Sequence, residues 1–557
     1  MEQNSTTDMI RVVLNKDRIV EVKQGTAILD IVEQYVEHAA APILAARVDN
    51  EIRELNYTLD QDCSLRFVDL TDEDGGRIYL RSLFFVMLKA VEELYPGARV
   101  VAHNTISKGL YCEINNIGEI GKNHVRNIHR RMKEIINFRI PFVKSVVPAE
   151  DAKRMYAEEG MLDKVSLIEY RKKPTVSFYT CGGTRDYFYG YMIPHTGYIH
   201  LFELRFHPPG VLLRYPDKSN PYAVPKFKES KKLFHIFHEY KHWNSVLEVE
   251  NVGMLDDIIK TGSVDDFIRI SEALHEKKTA QIADIIASDK GKKLVLIAGP
   301  SSSGKTTFSQ RLAIQLRVNG LKPLTISLDN YFVDREHTPL DENGNYDFES
   351  LETVDIALFN QHLNALINGE AIEIPLFDFL KGKRKTAGIK VRMNPDQILI
   401  IEGIHGLNEK LTGAIARNLK YKIYVSALAS LNIDDHNRIP TTDTRIIRRI
   451  VRDNKYRGHD ALRTIQLWPS VRKGEDKNIF PFQEEADVMF NSALVYELSV
   501  LKQFAEPLLS KIDKSCEEYS EAKRLLEFLT YFLPVYTKDI PANSIIREFI
   551  GGGCFYR

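Results

Sequence analysis

Between an apolar run, Leu294-Val295-Leu296-Ile297-Ala298, and a helical pattern from Phe308 to Val318 stands Gly299-Pro300-Ser301-Ser302-Ser303-Gly304-Lys305-Thr306, with Thr307 directly after it. Strand, glycine loop, Lys-Thr and helix in that order make the layout of a Walker A phosphate-binding loop. Its glycines let the backbone fold tightly enough for successive N–H groups to face phosphate oxygens. The start of the helix adds the positive end of its dipole, and Lys305 adds a mobile full charge for the β- and γ-phosphates. Thr306 offers a hydroxyl to a magnesium ion. The bland alternative is a glycine turn that binds nothing. An apolar strand before it and a helix after it favour phosphate binding.

A chain of 557 residues exceeds what one hydrophobic core supports, so several domains are expected. With 44% apolar and 27% charged residues these are ordinary globular domains. Lys+Arg (75) balances Asp+Glu (76), so no overall field recruits nucleic acid or membrane. Cys63, Cys112, Cys181, Cys516 and Cys554 are scattered, which suits a reducing compartment and gives neither a disulfide framework nor a cysteine-built zinc site. The start, Met1 to Asp8, is polar and lacks a signal-peptide core, and no apolar run approaches the roughly 20 residues of a membrane helix. A cytoplasmic protein with no membrane partner is the expectation.

Residues 9–70 carry a ββαββ pattern. Ile10–Leu14 and Ile19–Val22 read as strands around the turn Asn15-Lys16-Asp17. Gly25-Thr26 opens a helix with Ile28, Ile31 and Val32 at helical spacing, and strands follow at Ile43–Val48 and Leu65–Leu70. This resembles the TGS domain, a ubiquitin-like β-grasp module of threonyl-tRNA synthetases. Arg81–Pro96, Gly109–Ile114, Pro194-His195-Thr196 and a strand at Tyr198–Leu204 resemble the second, editing-type domain of the same synthetases. That family's site uses two histidines four apart on the first helix, then a cysteine and a histidine. Here those positions read Arg81, Phe85, Tyr191 and His195, which do not make a metal site. The resemblance therefore implies a retained α+β fold without editing chemistry. Arg205, Lys226, Lys228, Lys231 and Lys232 are the candidates for an RNA contact through this half, although a solvated basic face is the commoner explanation.

His238-Glu239-Tyr240-Lys241-His242 fits H-E-x-x-H, which on a helix sets two imidazoles on one face for zinc. No glutamate between Glu250 and Glu272 offers a third ligand, and no HxxGxxH extension follows. A surface helix over Lys231–Val246, anchored by Phe234, Phe237, Trp243 and Val246, is the better reading. Residues 247–290 read as a helical connector with Ile268, Ile270, Leu274, Ile282, Ile285 and Ile286 as packing positions and a solvated charged stretch at Glu272–Lys278. The tail, 511–557, holds an amphipathic helix from Tyr519 to Phe532 and ends in a glycine run, Gly551-Gly552-Gly553, for which a frayed terminus is the default.

Past the glycine loop, two apolar strands end in acids: Pro323–Leu328 in Asp329, and Gln397–Ile401 in Glu402. Ligands of open α/β sheets bind outside such strand ends. Tyr346-Asp347-Phe348-Glu349 brings the second carboxylate in chain order, making three after the loop. Asp443 to Asp453 sets Arg445, Arg448 or Arg449, and Arg452 on one helical face. A basic solvent-exposed helix is the plain reading. A lid closing over phosphates is the functional one, because guanidinium forks grip phosphate oxygens bidentately.

Over residues 293–510 the ordered segments GPSSSGKTT, LDNYF, YDFES, IPLFDFLKGKR, ILIIEGIHGL and DTRIIRRIVRDNKYRGHD resemble the uridine kinase family, within the phosphoribulokinase/uridine kinase group of P-loop kinases. The resemblance implies an α/β domain with a mainly parallel sheet, transferring the γ-phosphate of ATP or GTP to a nucleoside 5′-hydroxyl with Mg²⁺. Position by position it makes Asp329 the base, and Lys305, Arg445 and Arg449 catalytic. It sets Thr306, Glu402 and Asp329 at the metal, and Asp347 on the ribose hydroxyls. Gly299, Pro300, Ser301, Ser302, Ser303, Gly304, Lys305, Thr306, Thr307, Arg452 and Arg457 fall to the donor nucleotide, with the register between Arg448 and Arg449 open. Around the acceptor, Arg384 matches the family. Phe332 and Phe377 replace tyrosines, and Gly382 replaces a histidine, so polar contacts to a pyrimidine are missing. The alternatives are another small hydroxyl acceptor, or an RNA-binding regulator with a nucleotide switch. The expected layout is 1–70 β-grasp, 71–246 editing-like, 247–290 connector, 291–510 kinase and 511–557 tail, in a homo-oligomer.

Overall fold

The computed structural model describes residues 9–36, 41–342, 344, 346–378 and 381–555, so the stretch Met1–Asp8 lies outside the described residues. The kinase-like half is built on a five-stranded sheet in the order Lys322–Ser327, Gln397–Glu402, Leu294–Ala298, Lys420–Ser426 and Val488–Asn491. Every neighbouring pair is parallel. Parallel strands need covered faces, and the central strand, Leu294–Ala298, is buried throughout. Its side chains alternate between two layers. Val295 and Ile297 face a core with Phe308, Leu312 and Leu316 of the P-loop helix, Lys305–Val318. Leu294 and Leu296 face Phe359 and Leu363 of the helix Ile356–Ile367 on the other side.

The segment 247–290 is no linker. Its helices, Val252–Thr261 and Val264–Ser288, put Ile268, Ile282 and Ile286 into the same core as the P-loop helix. Ile270 and Ile285 point outward instead. The charged stretch is solvated on one face only: Lys277 is exposed, whereas Arg311, 2% exposed, pairs with Glu276 at 2.7 Å and Glu272 at 3.5 Å. His275 lies buried beside them, and burial first, then the Arg311 charge, pushes its pKa down to about 3. The tail is anchored as well. Its helix spans Tyr519–Leu529, and Ile545, Ile546, Phe549 and Ile550 join the main core.

In the N-terminal half the β-grasp sheet runs Arg18–Lys23, Met9–Leu14, Cys63–Asp69, Ile43–Val48, Glu51–Glu54, with Met9–Leu14 parallel to Cys63–Asp69. The next domain wraps two sheets around the apolar helix Glu73–Leu94. The strand expected at Tyr198–Leu204 forms later, at Glu203–His207. The reason is Tyr79, whose hydroxyl donates to Leu201 O at 2.8 Å and accepts from His200 N and Leu201 N. Those backbone groups are satisfied by a side chain and need no ladder. The helix Lys231–Val246 forms as expected, but it buries Leu233, Ile236, Tyr240 and Asn244 and leaves Val246 exposed. Glu239 is bound to Lys278 at 2.5 Å. Between the halves, the buried Lys164 ammonium sits 3.1 Å from Asp186 and 3.3 Å from Asp434. No helix among the described residues is long and apolar enough to cross a membrane.

Candidate active site around the glycine loop

The loop Gly299–Gly304 owes its shape to two positions. A side chain on Gly299 would meet the Val425 carbonyl 1.9 Å away, so only glycine lets the loop leave the sheet there. Gly304, at φ +80°, caps the P-loop helix in the left-handed region, where a Cβ would also strike Ile545 of the tail. The Lys305 ammonium donates to the carbonyls of Gly299 (2.9 Å) and Pro300 (3.1 Å). Burial lowers its pKa, opposed by Glu402, Asp329 and Glu548.

A cavity of about 720 Å³ opens at the carboxyl ends of the strands. Ser301, Ser302, Ser303, Gly304, Lys305 and Thr306 form its floor, with Asp329 and Glu402 beside them. Asp329 follows the strand Lys322–Ser327, and Glu402 ends the neighbouring one. The Ser327 hydroxyl ties them together, donating to Glu402 at 2.7 Å and accepting from the Asp329 N–H at 3.4 Å. Burial, then the charge of Asp329, raises the pKa of Glu402 to about 7. Glu349 is raised to about 7 by burial and by Glu475.

The arginines divide into two groups. Arg449, Arg452 and Arg457 line the cavity. Arg445 does not: it is 1% exposed, donates to Ser301 O at 3.0 Å and pairs with the buried Glu475. Arg448 is fully buried against Glu497, Ser492 and Ser302 O. One helix, Thr441–Tyr456, thus presents one arginine face to the loop's back and another to the cavity. Arg449 belongs to both, since it also donates to the Ser301 hydroxyl at 2.7 Å. Burial opposes the charged form of Arg449, and the neighbouring Arg452, followed by burial, lowers Arg457 to about 10. Such crowding of like charges suits a polyanionic ligand.

Of the expected acceptor residues, Phe332 and Phe377 line the cavity, their rings edge-to-face at 5.8 Å. Asp347 and Arg384 do not. Asp347 accepts from the Glu349 N–H at 3.2 Å and so shapes the turn that delivers Glu349. Arg384 braces the segment after Asp329, donating to Phe332 O and Tyr331 O, each at 2.9 Å. Gly299, Pro300 and Thr307 lie behind the lining. Several lining residues were not singled out from the sequence: Arg335, Glu349, Tyr456, His459, Glu548 and Phe555. Arg335 covers Gly382, where a Cβ would fall 2.7 Å from its Nε. It thus takes the space of the histidine expected there. Glu548 accepts from Thr307 Oγ1 at 2.8 Å and Thr307 N at 3.3 Å, at the start of the P-loop helix.

The residues present fit a magnesium ion. Among the described residues no three or more His, Cys, Asp or Glu converge into an all-protein metal site. Mg²⁺ does not ask for one, because it keeps several waters and takes one or two carboxylates plus phosphate oxygens. Glu402, Asp329 and Thr306 offer that set. In the editing-like domain, Phe85 is buried in the core, the Arg81 guanidinium donates to Tyr191 O at 2.7 Å, and His195 Nδ1 accepts from Gly197 N at 3.1 Å.

A parallel sheet, a glycine loop at its centre, acids at two strand ends and an arginine helix over the loop define a P-loop domain with a phosphate-binding site. Residues 294–499 match the model of the Phosphoribulokinase / Uridine kinase family. The N-terminal region matches threonine–tRNA ligases. That of Symbiobacterium thermophilum is 29% identical over 199 residues, 36% of this chain and 31% of the ligase. That of Acetivibrio thermocellus is 28% identical over 197 residues, 35% of this chain and 31% of the ligase. The chain thus spans under a third of the length of these relatives. Among solved structures, a possible uridine kinase from Bacillus stearothermophilus aligns at 18% identity and TM-score 0.27, over 39% of this chain and 98% of that one. The D-glycerate 3-kinase of Cryptococcus neoformans aligns at 15% identity and TM-score 0.23, over 48% and 89%.

Proposed function

We propose that the protein is a nucleoside-triphosphate-dependent phosphotransferase whose acceptor is the hydroxyl of a small molecule, a nucleoside 5′-hydroxyl being the first choice. The observation that carries this reading is the meeting of Asp329 with Lys305 and three arginines in one cavity. A nucleotide switch has no need of a carboxylate positioned to activate an acceptor.

Asp329 accepts the acceptor's proton as its oxygen attacks the γ-phosphorus, the bond from that phosphorus to the bridging oxygen breaks, and the nucleoside diphosphate leaves. Lys305 and the loop N–H groups hold the donor phosphates. Arg449, Arg452 and Arg457 oppose the charge spread over the equatorial oxygens. Mg²⁺ held by Glu402, Asp329 and Thr306 would neutralise charge on the donor phosphates. Phe332 and Phe377 offer aromatic edges and faces for a planar acceptor, which supports a nucleoside. Diphosphate release screened across pyrimidine and purine nucleosides and small polyols tests the reading. Release with none of them returns the domain to a switch.

Two expectations follow for this site. Glu402 must ionise to bind the metal, and its raised pKa keeps it protonated below about 7. Mg²⁺ affinity, titrated in the presence of ADP, should therefore rise about tenfold from pH 6 to pH 8. Glu402→Gln should be weak and flat across that range. A flat wild-type profile removes Glu402 from the metal. The second concerns Glu548, whose carboxylate holds the Thr307 donors that a donor phosphate would also use. Glu548→Gln should tighten ADP binding about tenfold by calorimetry. Weakened binding would make Glu548 a supporter of the site and not a competitor.

A further inference from the structure

Apart from the glycine-loop cavity, a second cavity of about 210 Å³ lies between the editing-like domain, the start of the arginine helix and the tail helix Tyr519–Leu529. Its walls are apolar and aromatic, with Phe84, Phe188, Ile433 and Phe528 among them. Six basic side chains border it together with the carboxylates of Glu51, Asp74, Asp443 and Glu527, and four of the six have carboxylate partners. His436 pairs with Asp186 at 2.5 Å. Arg77 pairs with Asp74 at 2.7 Å, Lys523 with Glu51 at 2.9 Å, and Arg524 is bidentate to Asp443 at 2.6 and 2.9 Å.

Arg81 and Arg438 differ. Among the described residues Arg81 donates to the Tyr191 carbonyl alone, and its guanidinium lies over Gly190, where a Cβ would come within 2.6 Å of Cζ. The Arg438 guanidinium has no hydrogen-bond or ion-pair partner among the described residues. The carboxylate acting on it through space, Asp443, is already engaged by Arg524. Burial works against the charge of both groups. Two half-buried guanidiniums without a carboxylate, facing one apolar chamber, are costly in a folded protein unless something neutralises them.

We propose that this cavity is a binding site for a small organic anion, in which Arg81 and Arg438 grip a carboxylate or phosphate head and the aromatic walls hold an apolar or aromatic body. The volume agrees, since an apolar cavity of about 150 Å³ already accepts benzene. Guanidinium forks match both kinds of head. The assignment is independent of the phosphotransferase reading, because among the described residues that line it Asp443 alone belongs to the arginine helix and none belongs to the glycine loop.

Calorimetric titration of the full chain with benzoate, phenyl phosphate and the neutral benzamide tests it. Saturable binding of benzoate or phenyl phosphate is expected, at least tenfold tighter than benzamide, and the tighter of the two identifies the head group. Arg81→Gln and Arg438→Gln should each weaken it at least tenfold, while Arg457→Gln, in the other cavity, should leave it unchanged. If the first two variants fail to fold, Leu80→Trp fills the chamber while keeping both charges and should abolish binding. No saturable binding to the wild type, or binding that survives all three substitutions, overturns the proposal.

Discussion

Asp329→Asn should lower turnover by about 10²- to 10⁴-fold while the affinity for ADP stays within about threefold of wild type. The substitution keeps the shape of the side chain and its backbone tie to Ser327, and removes the negative charge and with it the capacity to accept a proton. The neighbouring Glu402 cannot take over. It is 6% exposed, holds the Ser327 hydroxyl, and stays protonated below about pH 7. Loss of the Asp329 charge also removes one cause of that raised pKa, so any residual activity should show a pH profile shifted to lower pH. Steady-state kinetics with the best acceptor, beside ADP calorimetry, separate the two quantities. Turnover within tenfold of wild type would take the base role from Asp329.

The glycine loop, Asp329 and Glu402 were legible because each follows an apolar strand, and strand ends are where an α/β sheet exposes its chemistry. Two of the five strands were not seen. Lys420–Ser426 alternates lysines with apolar residues and so mimics a half-solvated strand, yet Lys420 and Lys422 are buried and paired with Glu409 at 2.7 and 2.5 Å. Val488–Asn491 is too short to show a period. The arginine face was visible as a spacing, but spacing cannot separate Arg448 from Arg449. That choice depends on Glu497, 49 residues away from Arg448. Asp347 and Glu349 show the same limit, since their motif fixes a turn and only tertiary packing decides which carboxylate enters the cavity. The tail misled for another reason. Three glycines in a row suggest a loose end, and the signal against it was the apolar spacing of Ile545, Ile546, Phe549 and Ile550 just before them.

Arg448 carries the largest expected effect on stability. It joins three parts of the domain: the loop through Ser302 O at 3.3 Å, the residue just after the last strand through Ser492 O at 2.9 Å, and the tail through the Phe549 ring at 4.9 Å. Glu497, 3% exposed at its side chain, neutralises it, with Nε donating to Oε1 at 3.2 Å. Arg448→Met leaves Glu497 as a buried charge whose remaining donor is the Leu494 N–H at 3.0 Å, and strands the carbonyls of Ser302 and Ser492. Breaking one side of a buried pair costs about 3–5 kcal/mol, which for a domain of this size lowers the unfolding midpoint by roughly 6–20 °C. A buried pair contributes little net stability over apolar residues of like volume, so Arg448→Met with Glu497→Leu should recover much of that loss. The recovered protein should still bind ADP more weakly, because the tail and the loop have lost their shared anchor. Thermal unfolding of the single and double variants measures the first effect and calorimetry the second. A single variant that unfolds within about 2 °C of wild type would mean that Glu497 finds water or a proton at no cost, and that the loop is held by Arg445 and Glu475 alone.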